Sequence, residues 1–214
     1  QENISDWSDE VLATLTDAVR VRLRSDVPLG AFLSGGLDSS LIVKLMSDQV
    51  QRPVKTFCIG IEDAWFQDAK FAEEAASHCG AEHYCEVVEA GLTEAWPLTL
   101  YHNDQPHSDI SFLPTYLVSK LAREQLKVVL TGDGGDELFG GYDRYANVMK
   151  SVGANSGQAA FEEACVGSLS LFTQQRRQAL LGPNARSHVA GHDPLDLALA
   201  QLAKLRHFDR VNQM

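Results

Sequence analysis

Twice in this sequence a short apolar run stops abruptly at a glycine-rich loop, and no other feature constrains the fold as strongly. Gly30-Ala-Phe-Leu33 ends in Ser34-Gly35-Gly36-Leu37-Asp38-Ser39-Ser40. Val128 to Leu130 ends in Thr131-Gly132-Asp133-Gly134-Gly135-Asp136-Glu137-Leu138-Phe139-Gly140-Gly141-Tyr142, where five of the 16 glycines fall within ten residues. Short apolar runs closed by turn residues are the pattern of strands buried on both faces.

The segments between these runs have helical spacing. Val11, Leu12, Leu15, Val19 and Leu23 share one face of a helix capped by Ser8, which stops near Asp26-Val27-Pro28. Leu41, Ile42, Leu45 and Met46 form the apolar face of a helix starting at Asp38. Val54 to Ile61 reads as a second strand, Asp68 to His78 as a helix ended by Gly80, and Glu82 to Val88 as a third, alternating strand. Phe112 to Gln125 is a helix with Ser111 available as its cap, and Val128 to Leu130 is the fourth strand. Strands alternating with helices predict an α/β fold, a parallel sheet covered by helices on both faces. Beyond Tyr142 the pattern changes: 151–158 is small and polar, Gln174 to Leu181 is helical, and Asp193-Pro194 opens a last helix. The expected organisation is an α/β nucleotide-type domain over 1–150 and a helical continuation over 151–214.

Composition removes several function classes. With 18 Lys and Arg against 29 Asp and Glu, the net charge of −11 opposes non-specific binding to nucleic acid or to anionic lipid. No apolar run reaches the ~18 residues a membrane span needs. The four cysteines form no CxxC pair, so reduced thiols in a cytoplasmic protein are expected.

The loops carry the chemistry. Adjacent glycines allow backbone N–H groups to converge on an anion, Ser34, Ser39 and Ser40 add hydroxyls, and the next helix presents its positive end. Leu138, Phe139 and Tyr142 beside the second loop's acids imply a loop packed onto the body. Asp38, Asp133, Asp136 and Glu137 would repel a polyphosphate unless a divalent cation came with it, which points to Mg·ATP.

Ser34-Gly35-Gly36-Leu37-Asp38-Ser39 resembles the loop of the ATP pyrophosphatase (PP-loop) family. With Asp26 to Gly30 before it and Thr131 to Tyr142 after it, the chain resembles the synthetase domain of glutamine-hydrolysing asparagine synthetases over about 9–145. The resemblance implies an adenine nucleotide alpha hydrolase-like sheet and an ATP-dependent ligase. That enzyme would adenylate the side-chain carboxylate of aspartate and release pyrophosphate, and ammonia from a separate glutaminase domain would then give asparagine and AMP. Carried over by position, Ser34, Gly35, Gly36, Asp38, Ser39 and Ser40 would hold phosphates. Asp38 and Asp136 would bind Mg²⁺. Main-chain groups at Leu33, Ile59, Gly60, Thr131 and Gly132 would contact adenosine. Asp133, often glutamate in the family, would serve acyl-adenylate formation.

The chain also departs from that pattern. Gln105, His107 and Ile110 are unusual there, so another carboxylate, as in a β-lactam synthetase-like relative, is an alternative, as is a non-catalytic nucleotide-binding module. Asp109 is available either for an amino group or as a helix cap. There is no N-terminal cysteine nucleophile, and the family's lysine-bearing segment finds no match before Met214, so the expectation is a truncated piece or a degenerate relative that binds ATP without completing the amide. A homodimer is compatible with all of this.

Overall fold

A computed structural model describes residues 4–62, 68–88, 92–104, 109, 111–152, 157–170, 172–189 and 193–212. The chain divides into two compact units, Gln1–Gly134 and Gly135–Met214. The first contains helices α1 (Ile4–Arg22), α2 (Leu37–Ser47), α3 (Asp68–Cys79), α4 (Trp96–His102) and α5 (Phe112–Arg123), and strands β1 (Leu29–Phe32), β2 (Lys55–Ile61), β3 (Glu82–Val88) and β4 (Val128–Leu130). The second contains α6 (Gly135–Phe139), α7 (Asp143–Ser151), α8 (Gln158–Ser168), α9 (Gln174–Leu180), α10 (Pro183–His188) and α11 (Pro194–Asn212).

The strands form one fully parallel sheet in the order β3-β2-β1-β4. Strand alternation explains why it is covered on both faces. Ala31 of β1, Leu33 just after it and Cys58 of β2 point to one side, where they join Val19 of α1, Val43 and Met46 of α2, and Ala72 and Ala76 of α3. Phe57, one residue before Cys58, points to the other side and meets Ala122 and Leu126, with Phe32, Tyr84 and Val129 packed around it. Phe57 is fully buried and stacks on Tyr84 at 5.2 Å. The α/β architecture expected from the alternating runs is therefore the one observed.

β4 is an edge strand, and a cleft flanks it on each face. One, of about 500 Å³, is lined by Leu15, Val19, Ile42 and Val128 and reaches Thr131. The other, of about 300 Å³, is lined by Phe32, Ala122, Leu126 and Val129.

Helix starts differ from expectation at two points. Ser8 does not cap α1; the helix already runs from Ile4, and the Ser8 hydroxyl donates back to the Ile4 carbonyl at 3.1 Å. A serine within a helix finds that carbonyl nearer than any free amide. Ser111 occupies the N-cap position of α5 without a side-chain cap bond; instead Asp109 Oδ1 accepts from the Ser111 N–H at 2.9 Å. Asp193 does act as the expected cap, accepting from Leu195 N–H at 3.0 Å. Its carboxylate also receives two bonds from Arg177, at 2.8 and 3.0 Å, which tie α9 to the start of α11.

Two predictions follow from this core. Phe57→Ala removes the largest side chain that joins β2 to α5 and is expected to cost about 3–5 kcal/mol in urea unfolding. His83 provides the second. Its Nδ1 lies 2.9 Å from the Thr56 hydroxyl, its Nε2 is buried without a partner among the described residues, and burial holds its pKa below the usual 6.5, against the pull of Glu73. Below pH 6.5 the unfolded chain then binds more protons here than the folded one, so this contribution is complete above 6.5 and is lost as pH falls below it. Unfolding midpoints at pH 7.5 and 5.5 should differ less in His83→Gln than in wild type.

Candidate functional site

Strand order locates the site. β1 is followed by β2 and β3 on one side, and the chain then returns to place β4 on the other side of β1. Ligands of open parallel sheets bind at the carboxyl ends of strands where the order reverses in this way. The two loops leaving that point, after β1 and after β4, are the two glycine loops. Because Ala31 pairs with Leu130, both loops leave at the same height.

They are in direct contact. A Cβ on Gly132 would lie 2.6 Å from the Ser39 amide nitrogen and 2.8 Å from the Asp38 carbonyl carbon, so only glycine allows this approach. Gly35 has φ +79°, and a Cβ there would lie 2.5 Å from backbone atoms of Phe71 and Ala72, which places the first loop against the start of α3. The sequence gives no sign of Phe71 as a neighbour of this loop.

Inside the first loop the serines hold one another. Ser39 is buried; its hydroxyl accepts from the Ser34 N–H at 3.3 Å, donates to the Gly36 carbonyl at 3.3 Å, and lies 3.0 Å from the Ser34 hydroxyl. Ser34 is exposed, and its hydroxyl accepts from the Gly36 N–H at 3.3 Å. The Ser40 N–H makes the first helical bond, to Gly36 O at 3.1 Å. Gly36 is the N-cap of α2 and supplies no side-chain cap, so the first amides of that helix have no side-chain acceptor among the described residues.

The remaining residues of the site lie around this loop or beyond it. Leu33 is buried, and its N–H donates to Phe57 O at 2.9 Å, extending the β1–β2 ladder. Ile59 and Gly60 lie on β2 two and three residues beyond Phe57, the partner of Phe32 at the end of β1. Asp133 is exposed, and its Oδ2 accepts from the Thr131 hydroxyl at 3.1 Å. Asp38 is half-buried, and its carboxylate has no partner among the described residues. Gln105, His107 and Ile110 lie outside the described residues.

Asp136 belongs to the second unit; it too is half-buried and without a side-chain partner among the described residues. There the Tyr142 hydroxyl donates to Glu137 Oε1 at 2.7 Å. That bond holds the Glu137 carboxyl below and the Tyr142 phenol above their usual pKa ranges. Arg144 lies over the Tyr142 ring at 3.7 Å. The expectation that Leu138 and Phe139 pack onto the body is not met: they are 81% and 63% exposed. The closure of this segment comes instead from the Tyr142–Glu137 bond, a pairing that periodicity cannot reveal.

An open parallel sheet with two interlocked glycine loops at its switch point defines the class of α/β proteins that bind nucleotide-like ligands at strand ends. The sequence model of the asparagine synthase family matches residues 10–214, and the chain belongs to that family. It is 41% identical over 138 residues to asparagine synthetase [glutamine-hydrolyzing] 1 of Bacillus subtilis, covering 64% of this chain and 22% of the relative. It is 35% identical over 163 residues to asparagine synthetase B of Escherichia coli, covering 66% and 28%. It is 25% identical over 215 residues to amidase chyE of Penicillium rubens, covering 89% and 32%. The chain thus spans less than a third of the length of each of these relatives. Among solved structures, an NH3-dependent NAD synthetase from Campylobacter jejuni matches with a TM-score of 0.43 and 14% identity, over 94% of this chain and 95% of that one.

The interlock makes a direct prediction. Gly132→Ala drives a methyl group into the Ser39 amide and should separate the loops. Nucleotide binding, measured by calorimetry, is expected to fall at least about ten-fold, because aligned donors lose their geometry within an ångström. The urea midpoint should change far less, since the contact is outside both clusters of the core.

Proposed function

We propose that this chain is the ATP-binding synthetase part of an amide-forming ligase, with residues 1–150 as the PP-loop domain and 151–214 as its helical continuation. The observation that carries the reading is the contact between the two glycine loops at the switch point. The first loop, with Ser34 and the uncapped amides of α2, receives the polyphosphate; main-chain groups of Leu33, Ile59, Gly60, Thr131 and Gly132 receive adenosine.

In this reading a carboxylate oxygen of aspartate attacks the α-phosphorus of ATP, and the bond to the bridging oxygen breaks to release pyrophosphate. Ammonia, supplied by a glutaminase domain, then attacks the acyl carbon. The C–O bond to AMP breaks, a proton leaves the nitrogen, and asparagine results. The protein's part is to stabilise the charge that gathers on the departing pyrophosphate, through donors already in place. Asp133, fixed by the Thr131 hydroxyl, orients the groups that form the acyl-adenylate.

Asp38 and Asp136 fit a Mg²⁺ ion by the chemistry of their donors: each is a half-buried carboxylate without a partner among the described residues, and Mg²⁺ takes one or two such ligands beside phosphate oxygens. When bound, that ion neutralises charge on the phosphates. The described cysteines are all free thiols, which supports a cytoplasmic setting.

The decisive experiment supplies the full-length protein with aspartate, ATP and ammonium. AMP and pyrophosphate in equal amounts are expected; ADP, or tight ATP binding without product, would defeat the reading. Asp38→Asn and Asp136→Asn should each weaken Mg²⁺-dependent ATP binding by about ten-fold or more, on the scale of charge-assisted contacts, while unfolding midpoints stay near wild type.

A further inference from the structure

We propose that Tyr142 is a positioning residue that fixes the carboxylate of Asp136; the proposal rests on the ligase reading above. After α6 the chain reverses at Gly140, whose φ is +70°. Gly141 then lies against Asp136. Its N–H donates to the Asp136 carbonyl at 3.0 Å, and a Cβ there would fall 1.9 Å from Asp136 Oδ1. One side of the carboxylate is therefore closed by backbone.

Gly141 has no side chain of its own to keep it there. The next residue supplies the hold. The Tyr142 hydroxyl reaches back to Glu137 Oε1 at 2.7 Å and closes a ring of chain from 137 to 142 around the Gly140–Gly141 turn. The phenol ring is steadied in turn: Arg144 lies over it at 3.7 Å, Tyr145 packs edge-on at 5.7 Å, and the Tyr145 N–H donates to the Tyr142 carbonyl at 3.0 Å.

The arrangement divides two adjacent acids between two tasks. Glu137 is committed to the phenol. Asp136, beside it, has no side-chain partner among the described residues and keeps its oxygens for a cation. Nothing in the glycine-loop motif itself assigns Tyr142 this part.

The test titrates the full-length protein with ATP by calorimetry, in Mg²⁺ and in EDTA, and follows Mn²⁺ binding by electron paramagnetic resonance as a readout independent of turnover. Tyr142→Phe keeps the ring and its stacking on Arg144 and loses only the hydroxyl. Metal-dependent binding should weaken roughly five- to ten-fold, the scale of one typical intramolecular hydrogen bond. Metal-free binding and the unfolding midpoint should stay near wild type. Glu137→Gln keeps an acceptor oxygen and should retain metal-dependent binding, whereas Glu137→Ala should match Tyr142→Phe. Wild-type metal affinity in Tyr142→Phe would overturn the proposal. So would equal losses in Glu137→Gln and Glu137→Ala, which would make Glu137 itself a ligand through its charge. A wild-type protein that binds ATP equally with and without Mg²⁺ would instead defeat the metal reading on which the proposal stands.

Discussion

The approach of Gly132 to the backbone at Asp38 and Ser39 is the constraint on which the site depends. It brings a loop from the end of β4 against a helix start that follows β1, and it exists only because those strands are parallel neighbours in register. Any side chain at 132 would put its Cβ 2.6 Å from the Ser39 amide nitrogen and force the two loops apart. The sheet sets the height of the loops, and the glycine lets them close.

The core supports that contact from both faces. One side is built from small and branched residues, Ala31, Val43, Ala72 and Ala76, which let α2 and α3 lie close to the sheet. The other relies on aromatic bulk, with Phe57 against Tyr84 beneath α5. Close helices on the first face bring Phe71 and Ala72 against Gly35, so the packing of α3 also shapes the first loop. The polar content of that loop is largely internal: the Ser39 hydroxyl bonds within the loop and holds its shape, while Ser34 stays at the surface.

Much of this was legible in the residues. Apolar runs closed by glycine loops marked β1 and β4, and helical spacing between the runs marked the parallel sheet with both faces covered. Strand order was not legible, because periodicity says which face a residue takes and nothing about which strand lies beside it. Ser8 shows a second limit, since a serine near a helix start serves equally as a cap or as a donor to the preceding turn. The fate of the second loop's apolar residues shows a third. Leu138 and Phe139 look like anchors by composition, yet the closure runs through a tyrosine hydroxyl five residues from its glutamate. Such bonds depend on a glycine turn whose geometry no hydrophobic pattern encodes.

The pairing of β1 with β4 has a consequence in time. Leu29 lies opposite Val128, 99 positions later in the chain (128 − 29), whereas β2 and β3 come from the sequence between them. On a ribosome the first glycine loop therefore emerges well before its partner. At roughly 5–20 residues per second, the interval is on the order of five to twenty seconds. Through that interval the growing chain can hold α2 and most of the sheet but only one of the two glycine loops, with the β4 side of β1 unpaired. The contact between the loops is then acquired late, when a three-residue strand docks on the far side of β1. Closing so long a loop places this event among the slow, non-local steps of folding.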